Sequence, residues 1–367
     1  MTQVFVSLPA RAAPIKTEGL VPWIRSNLFA SVPNAILSAA LIGLLLWVVF
    51  GALRWGVLNA VATANADMCQ AARGLGACWG IVNEKARFIV LGRYPQPEHW
   101  RPVIATLALL GLVVASCSPR FWKAWLPALW AVVLALFFTL MGGGVLGLSK
   151  VPTDQWGGLP LTIMLTVLSM TLAFPIAVAV ALGRRSDMPA IKSLCVIYVE
   201  LVRGVPLISV LFMASFMLPL FMPAGKSPDV LIRVIVGITL FAAAYMAEII
   251  RGGLQSLPKG QTEAAASLGL GYWQTQIKIV LPQALGAVVP SIMNNFISLF
   301  KDTSLVTIVS LYELTGALGL AVGSDPNWRP FKIEAYIFIA AIYFVCCFAM
   351  SRYSLWIEKQ VAVGKAR

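Results

Sequence analysis

The chain has 367 residues and a formal net charge of +13, yet only 12% of its residues are charged and 59% are hydrophobic, for a mean hydropathy of +0.83. Soluble domains carry roughly 25% charged residues, so a water-soluble globular fold is excluded. The basic residues are dispersed at the ends of apolar runs and in loops instead of forming one stripe, which argues against nucleic acid as a partner and for orientation in membrane lipid.

A helix needs about 20 mainly apolar residues to cross hydrocarbon, because no water is there to satisfy its backbone. Charge-free intervals of that order run from Arg25 to Arg54, Arg101 to Arg120, Lys123 to Lys150, Asp154 to Arg184, Arg203 to Lys226, Lys278 to Lys301 and Glu334 to Arg352. A further apolar run, Val230 to Ile250, holds only Arg233 and Glu248, near its two ends, where long side chains snorkel. The expectation is an all-α integral membrane protein with about eight transmembrane helices.

Residues 1–27 form a basic N-terminal segment, and 28–150 hold three spans with a polar loop at about 54–101. The first apolar core is far longer than the roughly 7–15 residues of a signal sequence, so it is read as an uncleaved span. With both termini in the cytoplasm, Arg120, Lys123, Arg184, Arg185, Arg251, Lys278, Arg352 and Lys359 fall inside, as the charge bias of short loops requires. The six Lys or Arg of the 54–101 loop oppose this, although the bias counts mostly charges close to span ends. Cys69 and Cys78 lie in that loop, where an oxidising periplasm permits a disulfide, but spacing alone does not establish pairing. Cys117, Cys195, Cys346 and Cys347 lie in or beside apolar runs, as small buried hydrophobes do.

Residues 157–355 hold five spans, followed by a tail at 356–367. "SLCVIYVELVRG" (193–204) reads as an interfacial elbow helix with Glu200 and Arg203 three residues apart, hence on one face as a pair; Arg203 alternatively anchors the interface. Residues 301–330 are too polar for a clean span and too oily for a solvated loop, which makes them a candidate gate. Between these lies a polar loop, 256–282, containing "EAAASLGLGYWQTQIKIVLP". Ser256 and Pro258 are helix-start signals, Glu263 suits an early helical turn, and Gly269 and Gly271 interrupt the four-residue recurrence of Ala264, Leu268 and Tyr272. The pattern predicts helix, tight bend, helix. Composition alone favours an incidental cytoplasmic loop.

The order Glu263, Ala264, Ala265, Gly269, Ile279, Leu281, Pro282 resembles the EAA loop of ABC importer permeases at every fixed position. "ELVRGVPLI" (200–208), "AYMAEIIRGGLQSLPKGQTEAA" (244–265) and "KDTSL" (301–305) are similar to the polar amino acid uptake branch of that family, which serves histidine, glutamate, glutamine, arginine and opines. This likeness covers about 157–355. The three extra spans, with "GACWG" (76–80) and "RYPQPEHWRP" (93–102), look like the long permeases of general L-amino acid importers. The resemblance implies a five-helix ABC type I permease core in the bacterial inner membrane, working by alternating access. It implies that Glu263, Ala264, Ala265, Gly269 and Leu270 form a coupling surface for an ABC ATPase subunit. ATP and Mg would be used by that partner, with no cofactor bound by this chain. A second permease subunit, related or identical, and a periplasmic amino-acid-binding protein would complete the assembly.

An amino acid crossing the membrane needs polar groups inside the bundle, and ionisable residues there default to function. Asn294, Ser298, Lys301, Asp302, Thr303 and Ser304 are the richest group, the first three sharing one helical face. Lys301 or Arg203 would meet a carboxylate, and Asp302 or Glu248 an ammonium. Alternatively Lys301 and Asp302 mark a helix end, and Glu248 with Arg251 is a structural i, i+3 pair. Catalysis by this chain is not expected: "AGKSP" (224–228) has Leu220 where a phosphate loop needs glycine, His99 is the only histidine, and no metal site or Gly-x-Ser-x-Gly elbow is present. The rival reading is an ion-gradient-driven secondary transporter, which favours inverted repeats and gives no reason for the EAA spacing.

Overall fold

The computed structural model describes residues 19–365, Ala224 excepted, with side chains as far as Gln360. The segment before Gly19, Ala224 of the "AGKSP" stretch and the last two residues of the tail lie outside the described residues. Among the described residues every regular element is helical. The chain forms two compact units, residues 1–80 and 81–367.

In the first unit, α1 (Leu20–Asn27) precedes α2 (Val32–Leu53), which runs on through a π-helical turn at Arg54–Leu58. Ser31 caps α2 by accepting from the Asn34 N–H. Beyond α3 (Ala66–Ala71), Cys69 and Cys78 are disulfide-bonded, and the Trp79 indole donates to the Gly56 carbonyl at 2.7 Å. The residues up to Gly80 are thereby folded back on the end of α2.

The second unit begins with α4 (Gly80–Leu91), α5 (Trp100–Ser116) and α6 (Leu126–Gly142). It continues with α7 (Gly158–Gly183), α8 (Pro189–Arg203), α9 (Leu207–Phe212) and α10 (Val230–Gln255). Two short helices, α11 (Gly260–Ser267) and α12 (Tyr272–Thr275), lead into α13 (Leu281–Asp302), then α14 (Leu314–Gly323) and α15 (Lys332–Lys365). Among the described residues six helical stretches are long and apolar enough to cross a membrane, and Pro189–Arg203 with Leu207–Phe221, bent by 103°, makes a seventh when counted as one broken span. The apolar α6, at 17 residues, is at the short end of the spanning range. The eight expected spans are thus six continuous, one broken and one short. Pro206 makes the break: it has no N–H to continue a helix and pushes Val205 toward extended backbone.

α10 is the centre of this unit, packed against α7, α13 and α8. Its buried run Ala242, Ala243, Ala244 and Ala247 carries no bulk, which lets neighbouring backbones approach where apolar area alone cannot drive association in lipid. α5 packs on both α6 and α7. Packing therefore divides the chain at Gly80, well before the compositional boundary near 150, because α5 and α6 share a core with α7.

Three local expectations are corrected. Within the expected loop at 54–101, Gly80–Leu91 is helical, as α4. Gly158 has φ +62, and a Cβ there would lie 2.1 Å from the Val90 carbonyl oxygen, so the end of α4 meets the start of α7 backbone to backbone. Lys85 on α4 pairs with Asp325 at 3.1 Å. Arg101, expected as a loop charge, is fully buried, donating through Nε to Leu140 O (2.6 Å) and through Nη1 to Ser149 O (2.9 Å), with Glu98 3.4 Å away. Nearby Tyr94 donates to the carbonyls of Leu140 and Met141, and burial pushes its phenol up to about 12, so it remains a donor at ordinary pH. Second, Glu200 accepts from Arg184 at 2.9 Å and not from Arg203, because α8 folds back along the end of α7. Third, Ser256 ends α10, donating to Gly253 O at 2.9 Å, and does not start the next helix.

Candidate functional site

The connection between α10 and α13 is a bent prong. Its turning point is Gly269, at φ +73. The Gly269 N–H donates to Ala266 O (2.9 Å) and the Leu270 N–H reaches back to Ala265 O (3.1 Å). These are the two bonds of a Schellman closure, which needs a left-handed residue just past the helix end. The sequence spacing from Ala265 to Gly269 is what this closure requires. Gly271, at φ −69, then starts α12, its N–H donating to the Gln274 side-chain oxygen at 3.3 Å. A π-helical turn at Gln276–Val280 joins α12 to α13, and Gln283 on α13 donates to Gln261 on α11 at 3.2 Å. The expected helix, bend and helix are present.

The five residues singled out in the loop separate by exposure. Glu263, Ala264 and Gly269 are exposed, Leu270 is half-buried and Ala265 is buried within this chain. Ala265 is inside because α11 packs on the turn before α13 at a distance that admits only a small side chain. Leu268 and Trp273, 79% and 65% exposed, flank the bend. The exposed surface of the prong thus includes Glu263, small residues and the large apolar side chains of Leu268, Tyr272, Trp273 and Ile277.

At its base sits an ion cluster. Glu248 on α10 accepts from Arg184 at 2.7 Å and from Arg251, and Arg203 lies 3.8 Å away. Arg184 also holds Glu200, and Arg185 donates to Leu254 O at 2.9 Å. The ends of α7, α8 and α10 are tied together here. Two of the sequence candidates, Glu248 and Arg203, thus meet each other, apart from the α13 group.

That group is itself divided. A cavity of about 230 Å3 between α10 and α13 is lined by Phe241, Tyr245, Asn295, Ser298, Leu299 and Asp302. The Asn295 carboxamide oxygen is buried with no hydrogen-bond partner. Asn294 and Lys301 are exposed, and Ser304 is half-buried. Thr303 is buried, donating to Phe300 O at 2.8 Å. The Arg203 guanidinium lies 5.6 Å from the centroid of the Tyr245 ring, linking the ion cluster to the cavity wall.

Sequence reasoning missed Glu313, which is fully buried. One carboxylate oxygen accepts from the Thr315 and Gly316 N–H groups (2.7 and 3.0 Å), capping α14; the other accepts from the Tyr343 and Thr162 hydroxyls (2.8 and 3.2 Å). A single side chain so joins α7, α14 and α15 within the candidate gate at 301–330. The available signal was a lone acid amid apolar sequence. Among the described residues no group of three or more His, Cys, Asp or Glu is placed to hold a metal.

Residues 173–363 match the family described as binding-protein-dependent transport system inner membrane component. The inner membrane amino-acid ABC transporter permease protein YhdY of Escherichia coli (strain K12) is 46% identical over 100% of this chain and 99% of its own length. The glutamate/glutamine/aspartate/asparagine transport system permease protein BztC of Rhodobacter capsulatus is 35% identical over 96% of each. A crystal structure of an amino acid ABC transporter with histidines covers 55% of this chain and 92% of that one, at 32% identity and a TM-score of 0.49.

Proposed function

We propose, for a chain that belongs to the binding-protein-dependent transport system inner membrane component family, the role of transmembrane permease subunit in an ATP-driven amino acid importer. The full-length relatives named above handle amino acids, which supports the same cargo here, with a broad range of L-amino acids. The observation that carries the mechanism is the exposed, Gly269-hinged prong that connects the two helices lining the polar cavity.

In this reading the prong, both chain termini and the Glu248 cluster face the cytoplasm, consistent with the arginines gathered there. The prong seats on a partner ATPase, where ATP and Mg are bound and hydrolysed. Glu263, Ala264 and Gly269 touch it, with Leu270 and Ala265 supporting the bend from behind. Motion of the prong passes directly into α10 and α13, because α11 and α12 are their only covalent link. Relative movement of those helices opens the cavity to alternate sides, each state having its own contacts with the ATPase, as coupling requires. In the cavity Asp302 and the unpartnered Asn295 oxygen are acceptors for an ammonium group, and Ser298 adds a hydroxyl. Asn294, Lys301, Thr303 and Ser304 are not on the wall of this cavity. A periplasmic binding protein delivers the amino acid, and a second permease subunit completes the pore.

Reconstitution in vesicles tests this. Uptake of labelled amino acids is expected to require ATP, the ATPase and a binding protein. Uptake driven by a sodium or proton gradient alone would overturn the reading in favour of a secondary transporter.

A further inference from the structure

A second cleft, of about 600 Å3, lies far along the chain from the prong, between the turn that follows α5 and the outer turns of α15. Its walls include Val114, Ser118, Arg120, Tyr353 and Trp356. We propose that it binds an anionic phospholipid, with the phosphate at Arg120 and an acyl chain along α5.

Its level in the membrane follows from the helices. α5 ends at Ser116 and α6 begins at Leu126, so residues 117–125 are the turn outside the hydrocarbon. The Tyr353 hydroxyl donates to Cys117 O at 3.0 Å, which fixes α15 against that turn. The stretch Arg329–Gln360 has 32 residues, or about 48 Å of helix, against roughly 30 Å of hydrocarbon. Its last turns therefore emerge beside the α5–α6 turn, at headgroup level.

The chemistry at this level is that of an interface belt. The Tyr353 and Trp356 rings stack with centroids 5.8 Å apart, Phe121 and Trp125 meet edge to face at 6.2 Å, and the Trp122 indole donates to Ser116 O at 2.9 Å. Arg120, Lys123, Arg352 and Lys359 are all exposed here, against one exposed acid, Glu358. Among the described residues none of these four bases is in an ion pair, whereas Arg101, Arg184, Arg203 and Arg251 each face a carboxylate. Arg120, the one base on the cleft wall, is thus left uncommitted, with the other three nearby in sequence to the segments that form it.

An amphipathic ligand fits better than a free anion. Leu107, Leu110 and Val114 are exposed at helical spacing on α5 and form an apolar track that ends at the cleft. A basic pocket between helix ends that continues into a lipid-facing groove accepts a headgroup and a chain together. The site joins the additional hairpin of α5 and α6 to the last core helix, so a bound lipid would fasten one to the other.

The test uses the full-length chain co-purified with its partner subunits, incubated with phosphatidylglycerol or phosphatidylethanolamine of identical acyl chains. Lipid retention is then read by native mass spectrometry. Phosphatidylglycerol is expected to be retained preferentially. Arg120→Gln should lower that retention about fivefold, and Arg87→Gln, at an exposed base on α4, should leave it unchanged. Excess inorganic phosphate should not displace the lipid. Arg120 is exposed, so its replacement leaves the fold intact. Equal retention of the two lipids, no loss with Arg120→Gln, an equal loss with Arg87→Gln, or displacement by inorganic phosphate overturns the proposal.

Discussion

Replacing Gly269 by alanine isolates the bend of the prong from everything around it. A Cβ at Gly269 meets no atom within 4 Å, so there is no steric clash to relieve. The cost is in the backbone alone: at φ +73, an L-residue with a side chain gives up about 1–2 kcal/mol. Gly271, two positions on, is equally open but has φ −69, where alanine is admitted. Reduced freedom of the unfolded chain then favours Gly271→Ala by about 0.4–1 kcal/mol. The same methyl group, added twice in one loop, should thus act with opposite sign. Amide hydrogen exchange on the reconstituted transporter reads this directly, through the Gly269 and Leu270 N–H groups whose bonds to Ala266 and Ala265 close the turn. Gly269→Ala should raise local opening by about 5–30-fold and reduce ATP-driven uptake, whereas Gly271→Ala should do neither. Equal exchange in the two variants would refute the assignment of the bend to a left-handed glycine.

Glu263 is exposed and in no ion pair among the described residues. Glu263→Lys should therefore abolish uptake and ATPase association with the melting temperature unchanged; a fall in melting temperature of the isolated permease would show a structural role instead. Glu313→Ala takes the carboxylate acceptor from the Tyr343 hydroxyl and two backbone N–H groups, while the Thr162 hydroxyl still has Gly158 O, and should cost roughly 2–4 kcal/mol in detergent unfolding, more than Glu313→Gln, which keeps one acceptor oxygen. Cys69→Ser opens a disulfide that spans a sequence separation of 9. It should weaken the Trp55–Gly80 region by about 2–3 kcal/mol, measured as faster local exchange, with that of α10 unaffected.

The loop 256–282 shows how far local pattern carries. Gly269 was legible because a left-handed residue just past a helix end has few chemical solutions, and glycine is the cheapest. Glu263 and Ala264 were singled out by the resemblance to the EAA loop, since composition alone left them in an incidental loop. Ala265 was not separable from Ala264 by sequence, since which alanine faces inward depends on where α11 rests against the turn before α13. The polar group of α13 divided for the same reason: Ser298 and Asp302 face α10 across a cavity, whereas Lys301, between them in sequence, points elsewhere on the helix.

Sequence by itself determined the membrane class and the spans, because hydrocarbon imposes one length and one composition on any helix that crosses it. It also determined the bend, because chirality restricts φ residue by residue. Only tertiary structure decided which charges are partners. Glu200 went to Arg184 and not to its helical neighbour, Arg101 turned inward to carbonyls of α6 and the following turn, and Glu313 became a buried joint between three helices. Each choice depends on which distant helix end comes within about 3 Å, the range where a buried charge recovers the solvation it gave up, and no local pattern encodes that distance.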